Sequence, residues 1–122
     1  MNRRRIEELV EEALEQLPRP LREGIHNLIV RVENNPTREQ LRRWNIPHGT
    51  TLFGFYEGIP LTERTSGYGL VAPDVIYIFQ KPIQSVCSNE REIREEIRRT
   101  VWHEIAHHFG IDDERLEELG MG

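Results

Sequence analysis

The hydrophobic positions at the start of the chain repeat at the spacing of a helix. Apolar residues recur every three or four positions from Ile6 to Leu17, and glutamates fill many of the positions between them. This pattern is typical of an amphipathic helix, and Pro18 and Pro20 predict where it ends.

The middle of the chain predicts strands separated by polar segments. Residues 21–32 fit a short helix that leads into the strand-forming run Leu-Ile-Val-Arg-Val. Residues 38–50 are polar and predict a loop with one helical turn. Strands are predicted at residues 51–56 and, most strongly, at residues 75–79, where a continuous apolar run is typical of a buried strand. Glycines at both ends of segment 67–69 predict a turn between these two strands.

The last third of the chain predicts a long helix followed by a short one. Asn89, with Glu92 three residues later, predicts the N-terminal cap of the long helix. Apolar residues continue at helical spacing until Gly110, which predicts the end of that helix. A final helix is predicted at residues 113–119. A chain of this length predicts a single domain, residues 1–122.

The end of the long helix carries the most informative residues of the chain. The segment from His103 to Asp113 fits the pattern H-E-x-x-H-x-x-G-x-x-D. His103 and His107 lie on the same helix face with Cβ atoms about 5–6 Å apart, a gap that one divalent ion can bridge. Glu104 is the next residue round the helix, so its carboxylate would reach a water on that ion rather than the ion itself. Apolar neighbours make an unpaired cluster cost several kcal/mol, which favours a bound metal over two histidines with only structural roles.

Gly110 and the aspartates after it predict the third ligand. Glycine adopts the left-handed conformation at little steric cost, so the chain can turn sharply back toward the ion. Asp113 and Asp112 compete for the third position. We favour Asp113 as the ligand and Asp112 as a helix cap or a residue that supports the site. His108 points about 100° away from His107, and we predict a partly exposed helix residue there.

Composition narrows the partners and the location. The formal net charge of −5 argues against nucleic acid as a partner, because phosphate binding needs a basic surface. Cys87 is the only cysteine, so neither an internal disulfide nor a thiolate metal cluster is expected, and a reduced cytoplasmic location is predicted. No apolar run reaches membrane-spanning length, so no membrane partner is expected.

The motif and an earlier segment resemble a known family. With aspartate in the last position, the pattern resembles the His-His-Asp variant of the metzincin clan of zinc endopeptidases. More closely, the chain resembles the small bacterial zincin-like metallopeptidases, and the resemblance covers essentially its whole length. Its specific parts are the H-E-x-x-H-H-F-G-I-D-D block that begins at His103 and the G-x-Y-x-G-x-P-L segment that begins at Gly54.

The resemblance implies a fold and a reaction. The implied fold is α+β and minimal zincin-like, with a small β-sheet packed on the active-site helix and with N-terminal and short C-terminal helices. One Zn²⁺ per chain is implied, held by His103, His107 and Asp113, with Glu104 as the general base and a peptide or protein as the substrate. Larger relatives carry a methionine turn beneath the metal, and Met121, the one candidate here, is interpreted as a tail residue. The candidate donors to the oxyanion of such a reaction are Tyr56, Arg64, Tyr68 and Tyr77.

Two other functions are open at this point. A binding or regulatory module would keep a metal for stability without turnover. Less favoured is a metal-dependent endoribonuclease, because bacterial rRNA-maturation enzymes of this kind have glycine where this chain has Glu104 and histidine where it has Asp113. The arginines of the long helix alternate with glutamates, which predicts ion pairs within the helix rather than a surface for nucleic acid.

Overall fold

The secondary structure is known from a computed structural model that describes residues 1–58 and 73–118. Within these residues no helix has the length and hydropathy needed to cross a membrane. The described helices and strands are α1 (Arg3–Glu15), α2 (Arg19–Glu23), β1 (Leu28–Glu33), α3 (Arg38–Arg43), β2 (Gly54–Glu57), β3 (Asp74–Phe79), α4 (Gln80–Val86), α5 (Glu90–His108) and α6 (Asp113–Glu118).

The three described strands form one mixed sheet with β3 in the centre. β1 pairs parallel with one edge of β3, and β2 pairs antiparallel with the other. Ile76 and Ile78 point to the face covered by α1 and α5. Tyr77 and Phe79 point to the opposite face, where both rings contact Trp44. Burial on both faces explains the continuous apolar run of β3, and the predicted α+β fold with a small sheet on the long helix is confirmed.

The core lies between the sheet, α1 and α5. The buried face of α1 packs on the stripe of α5 formed by Ile97, Val101 and Ile105, each fully buried. Burying one such side chain stabilises the fold by about 1.5–3 kcal/mol. A hydrogen bond also joins the two helices, because the indole N–H of Trp102 on α5 donates to the carbonyl of Ala13 on α1 at 2.9 Å. The long helix is therefore held along its length, and its opposite face is free to carry polar residues.

Strand β2 lies unusually close to α5 at one point. A Cβ built on Gly54 would be 2.7 Å from Thr100 Cγ2 and 2.8 Å from the Tyr77 carbonyl oxygen. Any side chain here would push the strand away from the helix, because neither neighbour is the end of a long flexible side chain. Glycine therefore lets β2 form one wall beside the long helix.

Three features of the secondary structure differ from the sequence prediction. Helix α4 was not predicted, because it follows β3 without a capping residue and contains Pro82, which is tolerated only in its first turn. Helix α3 is longer than the predicted single turn, since Thr37 and Gln40 form a complete capping box. Strand β2 begins at Gly54 rather than at Thr51. The predicted turn at 67–69 and the end of the last helix at 119 lie outside the described residues.

Candidate metal centre

The long helix α5 begins at the predicted cap. The Asn89 side chain accepts a hydrogen bond from the backbone N–H of Glu92 at 2.9 Å. The Glu92 carboxylate accepts from the backbone N–H of Ser88 at 2.8 Å, one residue earlier than a standard capping box requires. Glu90 and Glu92 also place negative charge in the first turn, where it complements the helix dipole.

The same helix ends in a glycine turn that sends the chain back across its own last residues. Gly110 has a φ of +73°. Its N–H donates to the His107 carbonyl at 3.0 Å, and the Ile111 N–H donates to the Ala106 carbonyl at 2.8 Å. These two bonds form a Schellman motif, which satisfies carbonyls that a helix end leaves open. The turn predicted from Gly110 is confirmed, and it brings Asp112 and Asp113 to the end of the helix.

Three side chains of α5 form a cluster beside this turn. The donor atoms of His103, Glu104 and His107 all lie within 4.8 Å of one another. The two imidazole centroids are 4.5 Å apart, and about two fifths of each histidine side chain is exposed. The Glu104 side chain is only 9% exposed, and its Oε1 lies 3.3 Å from His107 Nδ1. The cluster thus combines two accessible imidazoles with a largely buried carboxylate.

This donor set fits a zinc ion. Imidazole nitrogen and carboxylate oxygen are both common zinc ligands. Zinc–nitrogen bonds of about 2.0–2.1 Å keep two donors of one ion no more than about 4.2 Å apart. The donor atoms here lie within 4.8 Å of one another, close to that limit, and both imidazoles are partly exposed.

The two aspartates after the turn have different surroundings. Asp113 Oδ1 lies 3.6 Å from His103 Nδ1, and its side chain is 79% exposed. Asp112 Oδ1 instead accepts a hydrogen bond from the backbone N–H of Arg115 at 2.9 Å. Asp112 therefore caps α6, and Asp113 is the aspartate whose carboxylate faces the histidine cluster.

The carboxylates of the cluster alter the protonation of His107. Its pKa is raised mainly by the interaction with Glu104, and Asp113 adds a smaller effect through its charge. Burial acts in the opposite direction but does not cancel these effects. Since an unperturbed histidine has a pKa of about 6.5, metal-free protein retains the proton on His107 to a higher pH than an isolated histidine does.

This pKa shift gives a pH dependence with a defined sign. The stability from the raised pKa is fully present below about pH 6.5 and is lost as pH rises through the folded-state value. We expect Glu104→Gln to lower the pKa of His107 in metal-free protein and to reduce this low-pH stabilisation. An NMR titration of the histidine ring protons measures the first effect, and thermal unfolding at several pH values measures the second. An unchanged His107 titration in the variant would show that Glu104 is not the cause.

His108 does not occupy the position predicted from the sequence. Rather than being partly exposed, it is fully buried, and its Nδ1 lies 2.9 Å from Oδ2 of Asp74, the first residue of β3. The same carboxylate oxygen accepts a hydrogen bond from the Tyr56 hydroxyl at 2.7 Å. The sequence contained a signal for this burial. Val101, Ile105 and His108 are separated by four and then three residues, the spacing of one helix face, and that face is the buried stripe of α5.

Hollows flank the cluster on two sides of the helix end. One, of about 420 Å³, is lined by the turn after α5, by His107 and by Tyr56 and Gly58 from β2 and its end. The other, of about 300 Å³, is lined by His103 and Glu104 together with Phe53, Thr100 and an ion pair of Glu96 with Arg99. A larger hollow of about 510 Å³ lies elsewhere, along α3. The histidine cluster therefore lies between two open depressions.

The candidate oxyanion donors are only partly brought to the site. Tyr56 lines the larger flanking hollow, but its hydroxyl donates to Asp74. Tyr77 lies on the sheet face opposite α5 and contacts Glu57 through its hydroxyl at 3.3 Å. Arg64 and Tyr68, like Met121, lie outside the described residues. Three of the predicted ion pairs within α5 are present: Arg94 with Glu90, Arg98 with Glu95, and Arg99 with Glu96. Arg94 also pairs with Glu12 of α1, a contact between helices that was not predicted.

Comparison with known proteins connects this site to a family. Curated proteins gave no significant match. A conserved hypothetical protein from Thermus thermophilus, of known structure, is similar in fold, with a TM-score of 0.56 at 19% sequence identity over 98% of this chain and 97% of that one. The sequence profile of the zincin-like metallopeptidases matches residues 25–122, a segment that includes the sheet, the cluster and the glycine turn. The chain belongs to the zincin-like metallopeptidase family.

Proposed function

We propose that the protein is a zinc-dependent peptidase that hydrolyses peptide bonds at the His103–Glu104–His107 cluster. The observation that supports the proposal best is the difference in exposure within the cluster. The two imidazoles are open to solvent, whereas the carboxylate between them in sequence is 9% exposed. Open imidazoles suit metal ligands that keep a coordination position for a reactant, and a shielded carboxylate suits a general base.

His103, His107 and Asp113 would hold one zinc ion per chain. Zinc bound there would lower the pKa of a coordinated water toward about 7 and polarise the carbonyl of the substrate. Glu104 would accept the proton of the attacking water and pass it to the leaving amine. Because its side chain is largely shielded from solvent, few other water molecules would compete for the carboxylate oxygens during that transfer.

The surroundings of the cluster favour an extended peptide as the substrate. A chain that crosses the cluster would contact the hollow beside Tyr56 on one side and the hollow beside Phe53 on the other. Nucleic acid is disfavoured as a substrate, because Arg94, Arg98 and Arg99 of α5 form ion pairs with glutamates. The net charge of −5 also opposes phosphate binding.

The assignment of the third ligand makes a separate prediction. We expect Asp113→Ala to weaken zinc binding substantially, because it removes the carboxylate that faces His103 at 3.6 Å. Asp112→Ala is the matched control: it removes a helix cap, which costs about 0.5–2 kcal/mol of stability, and should weaken zinc binding less. Competition with a zinc-binding dye measures both affinities. A metal-free Asp112 variant beside an intact Asp113 variant would reverse the assignment.

The proposed activity is tested on protein purified without chelator or affinity tag. Metal content is measured by mass spectrometry, and cleavage is measured with a peptide library before chelation, after chelation and after zinc is returned. We expect about one zinc per chain, and cleavage that is lost with the metal and recovered with it. About one zinc without cleavage of any peptide would favour a metal-stabilised binding module. Cleavage of RNA but not of peptides would favour the endoribonuclease alternative, and no zinc after its return would contradict the metal site itself.

A further inference from the structure

The buried contact between His108 and Asp74 joins the metal-site helix to the sheet. The two side chains are 0% and 1% exposed, and the contact spans 34 residues of sequence. Asp74 is fixed in turn at the start of β3, where its backbone N–H donates to the Asn27 carbonyl at 3.0 Å. The hydroxyl of Tyr56, a residue of β2, donates to Asp74 Oδ2, the oxygen that His108 Nδ1 contacts. Two strands therefore hold one carboxylate, and that carboxylate contacts the last residue of α5.

The space around this carboxylate is closely filled. A Cβ built on Gly58 would be 2.4 Å from Asp74 Oδ1 and 2.9 Å from the Tyr56 hydroxyl oxygen. Only glycine lets the chain pass the end of β2 without displacing the carboxylate. Because the carboxylate is confined in this way, its contact with the imidazole also confines the direction in which His108 points.

The direction of His108 affects the metal cluster because of its position on the helix. His108 is adjacent to His107 and follows Glu104 by one helical turn. Successive side chains on a helix point in directions about 100° apart around its axis. Fixing His108 toward the core therefore also fixes the direction in which His107 points. The residues just after His108 form the Gly110 turn that presents Asp113. One buried contact thus lies at the junction between the two-histidine helix and the aspartate that follows it.

We propose that Asp74 and His108 are positioning residues of the metal centre, which fix the rotation of the last turn of α5 and so hold His107 and Asp113 in place for the metal. The inference rests on the proposed function, since it needs a metal at this cluster. Both side chains are buried, at 0% and 1% exposure, so the proposed role is to position the ligands rather than to bind the ion or the substrate. Supporting residues of this kind typically change metal affinity by about 10–100-fold when they are replaced.

The test compares two replacements of His108 with a control variant elsewhere in the core. His108→Leu removes the nitrogen that contacts Asp74, and His108→Asn keeps an amide N–H at a similar distance from the backbone. Leu9→Ala, at a residue of α1 that is 1% exposed, lowers the stability without touching the contact. Each folded variant is measured for zinc affinity by dye competition and, after replacement of zinc with cobalt, for the visible absorption bands that report the geometry of the ligands.

We expect His108→Leu to weaken zinc binding at least about tenfold and to change the cobalt bands. His108→Asn should recover most of both properties, and Leu9→Ala should change neither. If His108→Leu does not fold, Asp74→Asn takes its place, with a smaller change in the same direction expected. Wild-type affinity and bands in the folded variant, or an equal change in Leu9→Ala, would overturn the positioning role alone. A wild-type protein that binds neither metal would overturn both this inference and the proposed function.

Discussion

Replacing His107 with alanine is expected to leave the protein without stoichiometric zinc, and His103→Ala should have the same effect. Each variant removes one of two imidazoles whose centroids lie 4.5 Å apart, and no other histidine belongs to the cluster among the described residues. Replacing residues that only support a metal ligand typically costs about 10–100-fold in affinity, so loss of a ligand itself should cost more than about a hundredfold. Mass spectrometry of the purified protein and dye competition measure the loss.

The chain offers matched controls for this experiment. His26 and His48 are exposed histidines outside the cluster. Alanine at either position removes an imidazole from the protein but should leave about one zinc per chain. Equal zinc loss in a control variant would mean that the metal is bound by surface histidines in general. Full zinc retention in His107→Ala would contradict the assigned site.

Glu104→Gln is expected to lower peptide cleavage by about 10²–10⁴-fold while about one zinc per chain is retained. Glutamine has nearly the same shape, so it fills the buried position that the carboxylate occupies at 9% exposure. It cannot accept the proton of the attacking water, because an amide is a far weaker base than a carboxylate. The zinc content and the turnover number of the same sample give the two quantities.

Two outcomes separate the possible roles of this residue. Loss of zinc in Glu104→Gln would identify the carboxylate as a ligand, an arrangement that its place within 4.8 Å of both imidazoles permits. Unchanged cleavage with zinc retained would remove Glu104 from the reaction. Glu117→Gln, at an exposed glutamate on α6, is the control for the loss of one negative charge outside the cluster.

Local signals in the sequence were sufficient to predict the helix and the turn that carry the cluster. The His103–His107 spacing, the Asn89 cap and the glycine at position 110 each act within a few residues of themselves. The structure agrees with all three predictions, because each depends only on residues close in sequence and not on contacts between distant segments. The apolar run at residues 75–79 likewise predicted the central strand, since burial on both faces leaves no polar alternation.

The contacts between distant segments were not predictable in the same way. The role of His108 depends on Asp74, and no periodicity links two residues on different elements. The placement of Tyr77 depends on which face of β3 receives α5, a choice that a strand with two apolar faces does not reveal. Helix α4 was missed because its sequence gives no cap and contains a proline, so only its packing against α5 reveals it.

The parallel pairing of β1 with β3 has a consequence for how the protein folds. Leu28 lies opposite Asp74, so the placement of the residue that contacts His108 depends on the alignment of two strands that are 46 residues apart in sequence (74 minus 28). A misalignment of β3 by one residue would turn Asp74 to the far face and leave the imidazole against Val75, an apolar side chain. Burying an unsatisfied imidazole is costly, so such a misfolded chain is disfavoured. The His108–Asp74 contact therefore favours the correct register of β3, because only in that register does the buried imidazole at the end of α5 meet a carboxylate.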